Sequence, residues 1–577
     1  MTKKIARRVS NTSDPVKEGL HPLLQRIYAS RGITSDHQLE RGLEHLLPYH
    51  DLMGMDQAVA CLSDAILQQK KILIVGDFDA DGATSSAVAV RALKSFGAAS
   101  VDFLVPNRFA FGYGLTPELV VVAHGFQPDL IVTVDNGIAN HDGVLAAKKL
   151  GIKVVVTDHH LAAETLPVAD AIVNPNQPGD IFQSKSMAGV GVIFYVMLAL
   201  RRHLSELNWF QQQNLPEPMM SRLLDLVALG TVADVVSLDH NNRILVHQGL
   251  RRIRAGQCVP GITALVEIGR RTQARMQAAD LGFIVAPRLN AAGRLDDMSL
   301  GIECLLTDDM NAAREMANVL NELNVERRSI EQEMQEQALH ALKKIHTDAE
   351  HAPNGICLFD EEWHQGVIGI LAGRIKDRVH RPVIAFAVAN EKELKGSARS
   401  IVGLHIRDVL ADIAVNYPGL ICKFGGHAMA AGLTIPRDAF SRFSAVFNQG
   451  VSAKLLQLDL QDVLQGTLLS DGELVADELS LSVAETLREA GPFGQSFPEP
   501  LFDGVFQVLE QRLVGARHLK MTLEHEKKTL NAIAFNVDIN QWPNYRCDSV
   551  KIAYRLDVNE FKGKRSVQLI VEHLEPA

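Results

Sequence analysis

Short apolar runs recur between residues 70 and 175, and stretches with the spacing of amphipathic helices separate them. The runs are KILIVG (71–76), VDFLVP (101–106), DLIVTVDNG (129–137), GIKVVVTDHH (151–160) and DAIVNPN (170–176). Continuous apolar strands that alternate with helices are typical of a mostly parallel sheet buried on both faces. In such sheets ligands bind beyond the carboxyl ends of the strands, so the residues that follow these runs are the first candidates for a functional site.

The rest of the chain shows three further patterns. Residues 308–352 contain no Gly or Pro and keep an approximately helical spacing of apolar residues, which predicts one long helix. Strand-like runs follow at NGICLFD (354–360) and RPVIAFAV (381–388), with a helical stretch between them. From about Gln461 short apolar runs alternate with turns, which is typical of an all-β barrel.

A chain of 577 residues is too long for one hydrophobic core. We therefore expect an α/β protein in which a mostly parallel-sheet domain is joined by a long helix to a second, smaller α/β domain, with a C-terminal all-β barrel. The predicted parts are an N-terminal extension at 1–50, the first domain at 51–305, the connecting helix at 306–350, the second domain at 351–455 and the barrel at 456–577.

The composition narrows the class of protein. The formal net charge is −10, so any contact with nucleic acid must come from local basic patches. The six cysteines are widely spaced and form no CxxC pair, which argues against zinc ribbons and disulfide frameworks. The sequence shows no apolar run long enough to span a bilayer, and its start lacks the apolar stretch of a secretory signal. We expect a cytoplasmic protein that does not associate with membranes and is a monomer.

Acidic residues and histidines stand at the ends of the predicted strands. They are Asp77, Asp79 and Asp81 after the first run, Asp135 after the third, Asp158, His159 and His160 after the fourth, and Asp234 after a later helical stretch. Alternate residues of an extended chain point to the same side, so three such carboxylates repel one another unless a cation lies between them. Oxygen ligands with an imidazole suit Mg²⁺ or Mn²⁺, and there are enough carboxylates for two ions about 3.5–4 Å apart.

A simpler interpretation exists for each of these residues alone. A single aspartate after a strand more often caps a helix or closes a turn, and a pair of histidines is more often structural. The occurrence of several such residues at the strand ends of one sheet favours the metal site. Asp77 and Asp158 could still orient a histidine or a water molecule rather than bind a metal directly.

The same residues carry a resemblance to a known family. GDFDADG, DNG, TDHH and GTVADVV resemble, in order, the four motifs of the DHH phosphoesterase superfamily, and GGHAMAAG (425–432) resembles the glycine-histidine motif of its associated DHHA1 domain. With VPNRFAFGYGL (105–115), APRLNAAGR (286–294) and the β-rich tail, nearly the whole chain is similar to bacterial members that degrade single-stranded DNA in the 5′→3′ direction. Ser237 stands where the family pattern has proline, which puts nothing chemical in doubt.

The resemblance implies a site and a reaction. The implied ligands of two divalent ions, Mg²⁺ or Mn²⁺, are Asp79, Asp81, Asp135, His159 and Asp234, with Asp77 and His160 close by. The implied reaction is hydrolysis of phosphodiester bonds in single-stranded DNA by a two-metal mechanism that releases 5′-mononucleotides, in DNA recombination and mismatch repair. We expect His160 to contact the scissile phosphate or to pass a proton to the leaving group; alternatively it is a structural partner of Asp158. The implied partners are single-strand-binding protein and a DNA helicase.

Contacts with DNA require further residues. A nuclease that works from the 5′ end can grip the terminal phosphate, for which forked arginine contacts are well suited. The candidates for this contact are Ser397, Arg399, His427, Arg108 and Arg288. In the tail, which resembles an oligonucleotide-binding (OB) fold, the candidates are Lys562, Lys564 and Arg565, with Tyr554 and Phe561 as stacking surfaces. A surface salt bridge explains each arginine equally well. Residues 501–577 hold eleven Lys or Arg against ten Asp or Glu, so the basic residues must lie on one face of the barrel if they are to bind DNA.

Two other functions stay open at this point. A DHH enzyme for small substrates, such as a pyrophosphatase, an oligonucleotide phosphatase or a cyclic-dinucleotide phosphodiesterase, would use the same metal chemistry but needs neither the β-rich tail nor a long channel. Digestion of labelled single strands against dinucleotides separates these cases. A non-catalytic nucleic-acid-binding scaffold with a relic site is the other alternative, and the intact acids and His159 argue against it.

Overall fold

The computed structural model describes residues 4–9, 16, 18–107, 111–345, 353–515, 517–537, 542, 547–561 and 563–577. The chain forms two compact units. The smaller unit consists of Met1–Arg7 and Val325–Ser470, and the larger unit of Arg8–Asn324 and Asp471–Ala577. Each unit is therefore built from two segments that are distant in sequence.

The β-strands are β1 Lys4–Arg7, β2 Lys71–Gly76, β3 Ser100–Leu104, β4 Leu130–Val134, β5 Lys153–Thr157, β6 Ala171–Val173, β7 Ile356–Phe359, β8 Val383–Val388, β9 Glu393–Arg399, β10 Lys423–Gly426, β11 Ala430–Pro436, β12 Thr467–Ser470, β13 Phe502–Val514, β14 His518–His525, β15 Lys528–Ala534, β16 Ser549–Phe561 and β17 Lys564–Pro576.

The α-helices are α1 Pro22–Ala29, α2 Met55–Leu67, α3 Ala80–Ser95, α4 Pro117–His124, α5 His141–Lys149, α6 Gly189–Glu206, α7 Trp209–Gln212, α8 Leu224–Ala233, α9 His240–Arg254, α10 Pro260–Ile268, α11 Ala278–Asp280, α12 Ala286–Leu295, α13 Ser299–Leu306, α14 Met310–Ile345, α15 Ile368–Val379, α16 Ile406–Asn416, α17 Phe440–Gln457 and α18 Leu481–Ala490.

The larger unit contains a five-stranded parallel sheet with the strand order β3-β2-β4-β5-β6. The prediction of a mostly parallel sheet is confirmed. Side chains on one face, such as Ile74 and Val132, join a core with α3, α6 and α8, whereas those on the other face, such as Val75 and Ile131, join a second core with α4 and α5. Burial of both faces explains why these strands read as continuous apolar runs instead of alternating ones.

The register of this sheet determines where the acidic loops begin. Gly76 at the end of β2 pairs with Val134 at the end of β4, and Val134 pairs with Thr157 at the end of β5. The three loops that carry Asp77, Asp135 and Asp158 therefore leave the sheet side by side at its carboxyl edge.

The C-terminal strands of the larger unit form a closed barrel with the order β13-β14-β15-β17-β16. Its pairs are antiparallel except for β15 with β17, which is parallel. Helix α18 packs beside β16, where Arg488 donates to Asp557 at 2.8 Å. The prediction of an all-β barrel in this part of the chain is confirmed.

The smaller unit is a second α/β structure with the strand order β10-β11-β9-β8-β7. Strands β7 and β8 are parallel, and the remaining pairs are antiparallel. Helices α15, α16 and α17 supply its apolar cores, to which Leu371, Leu410 and Phe443 contribute fully buried side chains. Strands β1 and β12 pair in parallel in the same unit.

The predicted long helix is present as α14, which has 36 residues. It begins at Met310, directly after Asp309, whose side chain accepts the Asn311 N–H at 2.8 Å. Further along, Glu331 is buried and accepts hydrogen bonds from Arg327 and Arg374 at 2.6 and 2.9 Å. The polar middle of this helix is thus held by ion pairs inside the smaller unit.

No helix in the described part of the chain combines the length and the apolar character that a membrane span requires.

Candidate active site

The loop after β2 is folded tightly onto the start of α3. The Asp79 carboxylate caps α3 and accepts the N–H groups of Asp81 and Gly82 at 2.9 and 3.0 Å. A Cβ on Gly82 would lie 2.4 Å from the carbonyl oxygen of Asp77, so this position requires glycine. The cap and the close approach hold Asp77, Asp79 and Asp81 on one short turn.

The loop after β4 places Asp135 in an unusual backbone conformation. Asp135 has a φ of +61°, a backbone conformation that residues other than glycine rarely adopt. Such a conformation persists only where surrounding contacts enforce it. Its N–H donates to the Thr157 carbonyl at 3.1 Å. Gly189, at the start of α6, packs so closely that a Cβ there would lie 2.6 Å from Cβ of Asp135.

Asp158, at the end of β5, is an anchor for the neighbouring loops. Its carboxylate accepts the N–H groups of Ile138, His159 and His160 at 2.9, 2.7 and 3.1 Å. It also lies 2.7 Å from Nδ1 of His160. Through these contacts Asp158 restrains the backbone of both histidines and the ring of His160.

The structure brings candidate metal ligands from several loops close together. Nε2 of His159 lies 3.1 Å from Oδ1 of Asp135 and 3.4 Å from Oδ2 of Asp234. Three sets of residues offer ligand atoms that all lie within 4.8 Å of one another. They are Asp77, Asp79 and Asp135; Asp81, His159 and Asp234; and Asp135, His159 and His160.

The carboxylates of the candidate metal site repel one another when no cation is bound. Burial, and then the charge of Asp234, raises the pKa of Asp81 to about 7. Burial, and then the charge of Asp79, raises the pKa of Asp234 to about 8. Burial and the neighbouring carboxylates also raise the pKa of Asp135 well above its ordinary value, whereas burial and His160 lower the pKa of His159. The site therefore concentrates negative charge that a cation would stabilise.

The hydrogen bonding of the site fits divalent cations. Within the described residues, the buried atoms Oδ1 of Asp135, Oδ2 of Asp234 and Nε2 of His159 lie close to one another, but none of them has a partner in hydrogen-bond geometry. Buried polar atoms without partners are costly, and metal coordination is a common way to satisfy them. Asp81 also contacts the start of α6, where its carboxylate accepts the N–H groups of Gly189 and Val190 at 2.7 and 3.0 Å. Carboxylate oxygens with one imidazole are the ligands that Mg²⁺ and Mn²⁺ take.

His160 carries a positive charge beside this acidic cluster. Burial alone would lower its pKa, but the hydrogen bond and the charge of Asp158 outweigh burial and raise the pKa of His160 to about 9. In the same way burial would raise the pKa of Asp158, but His160 lowers it to about 2. The pair therefore presents an imidazolium at neutral pH, which can bind an anionic group or donate a proton.

Helix α12 packs against the loop that carries Asp77, Asp79 and Asp81, and the sequence did not reveal this contact. The side-chain oxygen of Asn290 accepts the Ala80 N–H at 2.8 Å. A Cβ on Gly293 would lie 1.7 Å from the carbonyl oxygen of Phe78, so the helix backbone packs directly on the loop. On α8, a Cβ on Gly230 would lie 2.8 Å from Oδ1 of Asp81. The motif APRLNAAGR was noted in the sequence, but its spacing alone does not assign this role to Asn290 and Gly293.

The candidates for the terminal phosphate are distributed over both units. Arg399 on β9 donates to Oγ of Ser397 at 3.1 Å, and β9 pairs with β11, which follows the turn that carries His427. The His427 N–H donates to Ala430 at 2.8 Å. Arg288, in the larger unit, is buried and donates to Oδ1 of Asn321 at 3.1 Å and to the Ile284 carbonyl. Arg108 lies outside the described residues.

The candidate DNA-binding residues on the barrel differ in exposure and in their contacts. Lys564 is exposed at the start of β17, and Arg565 forms an ion pair with Glu485 of α18 at 2.6 Å. Lys562 lies outside the described residues, and the side chain of Phe561 is not described either. The expectation that Tyr554 offers a stacking surface is wrong, because its side chain is fully buried against Phe502 and Phe506 in the barrel core.

Known families match three parts of the chain. The DHH family, N-terminal domain, matches residues 71–231, the DHHA1 domain matches 352–453, and the RecJ OB domain matches 470–573. These ranges coincide with the parallel sheet, with the second α/β structure and with the closed barrel.

Individual relatives match over almost the whole chain. The single-stranded-DNA-specific exonuclease RecJ of Escherichia coli (strain K12) is 53% identical over 572 residues, which is 99% of this chain and 98% of the relative. The exonuclease of the same description from Thermus thermophilus is 34% identical over 86% of this chain and 68% of the relative.

Solved structures agree with the sequence matches. The crystal structure of RecJ from Thermus thermophilus in complex with Mn²⁺ is similar with a TM-score of 0.78 at 30% identity, over 96% of this chain and 76% of that chain. The structure of RecJ from the same organism in complex with Mg²⁺ gives a TM-score of 0.72 at 29% identity, over 96% of this chain and 74% of that chain. Together with the convergence of acids and histidines at the sheet edge, these similarities show that the chain belongs to the RecJ family of DHH phosphoesterases.

Proposed function

We propose that the protein is a single-strand-specific DNA exonuclease that hydrolyses phosphodiester bonds from the 5′ end and releases 5′-mononucleotides. The observation that carries this proposal is the convergence of Asp135, His159 and Asp234, whose facing atoms lie 3.1 and 3.4 Å apart. Phosphodiester cleavage requires concentrated positive charge next to a reactive water, and a buried acidic cluster is how proteins hold the cations that provide it. The relatives described as single-stranded-DNA-specific exonucleases support the choice of substrate.

The proposed ligands of two divalent ions are Asp79, Asp81, Asp135, His159 and Asp234. The related structures that contain Mn²⁺ and Mg²⁺ support this choice of ion. When bound, such ions lower the pKa of a coordinated water and neutralise negative charge on the phosphodiester. Burial and neighbouring charges raise the pKa of Asp81 and Asp234, so a bound cation would favour the deprotonated form of both carboxylates.

His160 is the proposed catalytic group from the protein. Its imidazolium contacts a non-bridging oxygen of the scissile phosphate or donates a proton to the departing 3′ oxygen. Asp158 keeps this ring charged and in place through the 2.7 Å contact to Nδ1. Asp77 lies in the same cluster as Asp79 and Asp135 and orients groups around the metal site.

The proposed binding residues recognise the end and the backbone of the strand. Ser397 and Arg399 form a compact set of donors in the smaller unit, with His427 on the neighbouring hairpin. We propose that these residues bind the 5′-phosphate, because a nuclease that grips the end measures one nucleotide at a time. Arg108 and Arg288 are further proposed substrate-binding residues. Lys562, Lys564 and Arg565 of the barrel contact the backbone further along the strand.

Digestion of end-blocked DNA tests the proposal. Single-stranded oligonucleotides blocked at the 5′ end, at the 3′ end or at neither are incubated with the protein and Mn²⁺. We expect mononucleotides from the 3′-blocked and unblocked strands and none from the 5′-blocked strand or from duplex DNA. Degradation of the 5′-blocked strand alone would reverse the proposed direction, and activity limited to dinucleotides would favour a small-substrate enzyme.

The cellular role follows from the proposed activity. We propose that the protein acts in the cytoplasm as a monomer, in recombination and mismatch repair, on single strands supplied by a DNA helicase and covered by single-strand-binding protein. The proposed domain boundaries are those predicted from the sequence, with the catalytic domain at 51–305 and the OB domain at 456–577.

A further inference from the structure

Tyr113 lies in a glycine-bounded loop next to the candidate metal site. Gly112 and Gly114 on either side have φ values of +79° and +69°, which favour glycine. A Cβ on Gly114 would lie 2.3 Å from Oδ1 of Asn140, and the amide of Asn140 donates to the Tyr113 carbonyl at 3.3 Å. Asn140 therefore restrains the loop at Tyr113 and Gly114.

The hydroxyl of Tyr113 is directed at the backbone of the candidate ligand Asp135. It donates to the backbone carbonyl of Asp135 at 3.0 Å. Asp135 has a φ of +61°, a conformation that costs about 1–3 kcal/mol and persists only where contacts enforce it. The carbonyl and the side chain of Asp135 are attached to the same Cα. A hydrogen bond that fixes the carbonyl therefore also helps to fix the direction of the carboxylate.

The ring of Tyr113 also contacts the proposed catalytic histidine. Its centroid lies 5.7 Å from that of His160 in an edge-to-face arrangement, and it makes a similar contact with Phe78 at 6.0 Å. The hydroxyl oxygen lies 3.3 and 3.4 Å from Nδ1 and Nε2 of His160. Asp158 restrains this ring from one side, and Tyr113 restrains it from another.

The exposure of Tyr113 separates it from an ordinary core aromatic. The residue is 41% exposed, whereas the aromatic residues of the sheet core, such as Tyr195, are fully buried. A partly exposed tyrosine that directs its hydroxyl inward, toward a strained carbonyl and an imidazole, contributes little apolar burial. Its contacts point to the site and not to the stability of the fold.

We propose that Tyr113 is a positioning residue of the nuclease site, which fixes the backbone of the metal ligand Asp135 through its hydroxyl and the ring of His160 through its edge. This inference rests on the proposed nuclease function. Tyr113→Phe removes the hydroxyl, with its contacts to the Asp135 carbonyl and to His160, and keeps the ring, whereas Tyr113→Leu removes the ring contact as well.

Mn²⁺ affinity measured by calorimetry, together with kcat and KM on single-stranded DNA at saturating Mn²⁺, tests the proposal. In Tyr113→Phe we expect Mn²⁺ affinity to fall about fivefold to tenfold, the equivalent of one hydrogen bond. We expect kcat to fall by a similar factor while KM for DNA stays unchanged, because the hydroxyl is bonded to the backbone of Asp135 and lies against His160. Tyr113→Leu should lower kcat further, with no additional loss of Mn²⁺ affinity.

Tyr28→Phe is the matched control. The Tyr28 hydroxyl donates to the Ala490 carbonyl at 2.8 Å in the same unit, and Tyr28 belongs to none of the proposed binding sites. This variant should change thermal stability and leave Mn²⁺ affinity and kcat at the values of the unmodified protein. Unchanged Mn²⁺ affinity and kcat in Tyr113→Phe would overturn the proposal, as would losses in Tyr113→Phe that Tyr28→Phe reproduces. Failure of the unmodified protein to bind Mn²⁺ or to degrade DNA would instead contradict the proposed function itself.

Discussion

Nδ1 of His160 lies 2.7 Å from Oδ1 of Asp158, and the two largely buried groups hold opposite charges. This pair stands at the end of β5, beside a cluster of carboxylates that repel one another. The same short segment, Asp158-His159-His160, thus supplies an anchor, a candidate ligand and a charged imidazole.

Replacement of Asp158 by asparagine should shift the pH range of activity. The pKa of His160 is about 9 because of Asp158, so the imidazolium is present below pH 9 and is lost as the pH rises through that value. Without the carboxylate the pKa should return toward about 6.5. We expect the alkaline fall of kcat/KM in Asp158→Asn to begin about two pH units lower, as measured on single-stranded DNA from pH 5.5 to 10.

Asp170→Asn serves as a control for that experiment. Asp170 accepts the Val154 N–H at 2.9 Å in the same sheet and has no place in the proposed mechanism. Its variant should keep the pH profile of the unmodified protein. An unchanged profile in Asp158→Asn would show that the charge of His160 does not limit the rate.

Metal binding should release protons near neutral pH. In the metal-free protein burial and neighbouring charges raise the pKa of Asp81 to about 7 and that of Asp234 to about 8, so both are partly protonated at pH 7. Coordination requires the carboxylate form. We expect the observed binding enthalpy of Mn²⁺ at pH 7 to depend on the ionisation enthalpy of the buffer, and the affinity to fall as the pH decreases from 8 to 6. A binding enthalpy that is the same in all buffers would contradict this.

The metal-free protein should gain stability when one carboxylate is removed. The folded pKa of Asp234, about 8, lies above its ordinary value of 3.8, so the folded state binds more protons and stability is lost as the pH rises from 3.8 through 8. Asp234→Asn should therefore be more stable than the unmodified protein by about 1–3 kcal/mol at pH 8 in chelator, and nearly inactive in Mn²⁺. Denaturant unfolding with chelator, at pH 5 and pH 8, measures the difference, which should be smaller at pH 5.

Alanine at position 293 of α12 should displace the loop that carries Asp77, Asp79 and Asp81. The added Cβ would lie 1.7 Å from the carbonyl oxygen of Phe78, so the helix or the loop must move. We expect Gly293→Ala to lose about 1–3 kcal/mol of stability, as is usual for overpacking, and at least tenfold in nuclease activity. Gly373→Ala is the control, since a Cβ there meets no described atom within 4 Å, and a helical alanine should slightly stabilise the protein. Equal activity in the two variants would argue against a supporting role for α12.

Patterns along the chain predicted a large part of the fold. The apolar runs within 71–76 and 129–137 became β2 and β4, because a strand buried on both faces is formed mainly of apolar residues. The stretch without Gly or Pro became α14 for the equally local reason that nothing in it interrupts helical hydrogen bonding. The order of strand, acid and glycine also indicated the edge at which Asp77, Asp135 and Asp158 meet, since parallel strands place their carboxyl ends together.

What each side chain does in that cluster depended on the tertiary structure. Asp81 and Asp158 look alike in the sequence, yet burial and Asp234 raise the pKa of Asp81, whereas His160 lowers the pKa of Asp158. Tyr554 was predicted to be available for stacking, but its side chain is buried. Tyr113 was not singled out in the sequence, but its ring contacts His160. The elements and the chemical groups at their ends could be read from the chain alone, because strand and helix patterns are local. The fold was needed to find which of these groups carry charge and which face the site, because burial and Coulomb interactions depend on neighbours that lie far apart along the chain.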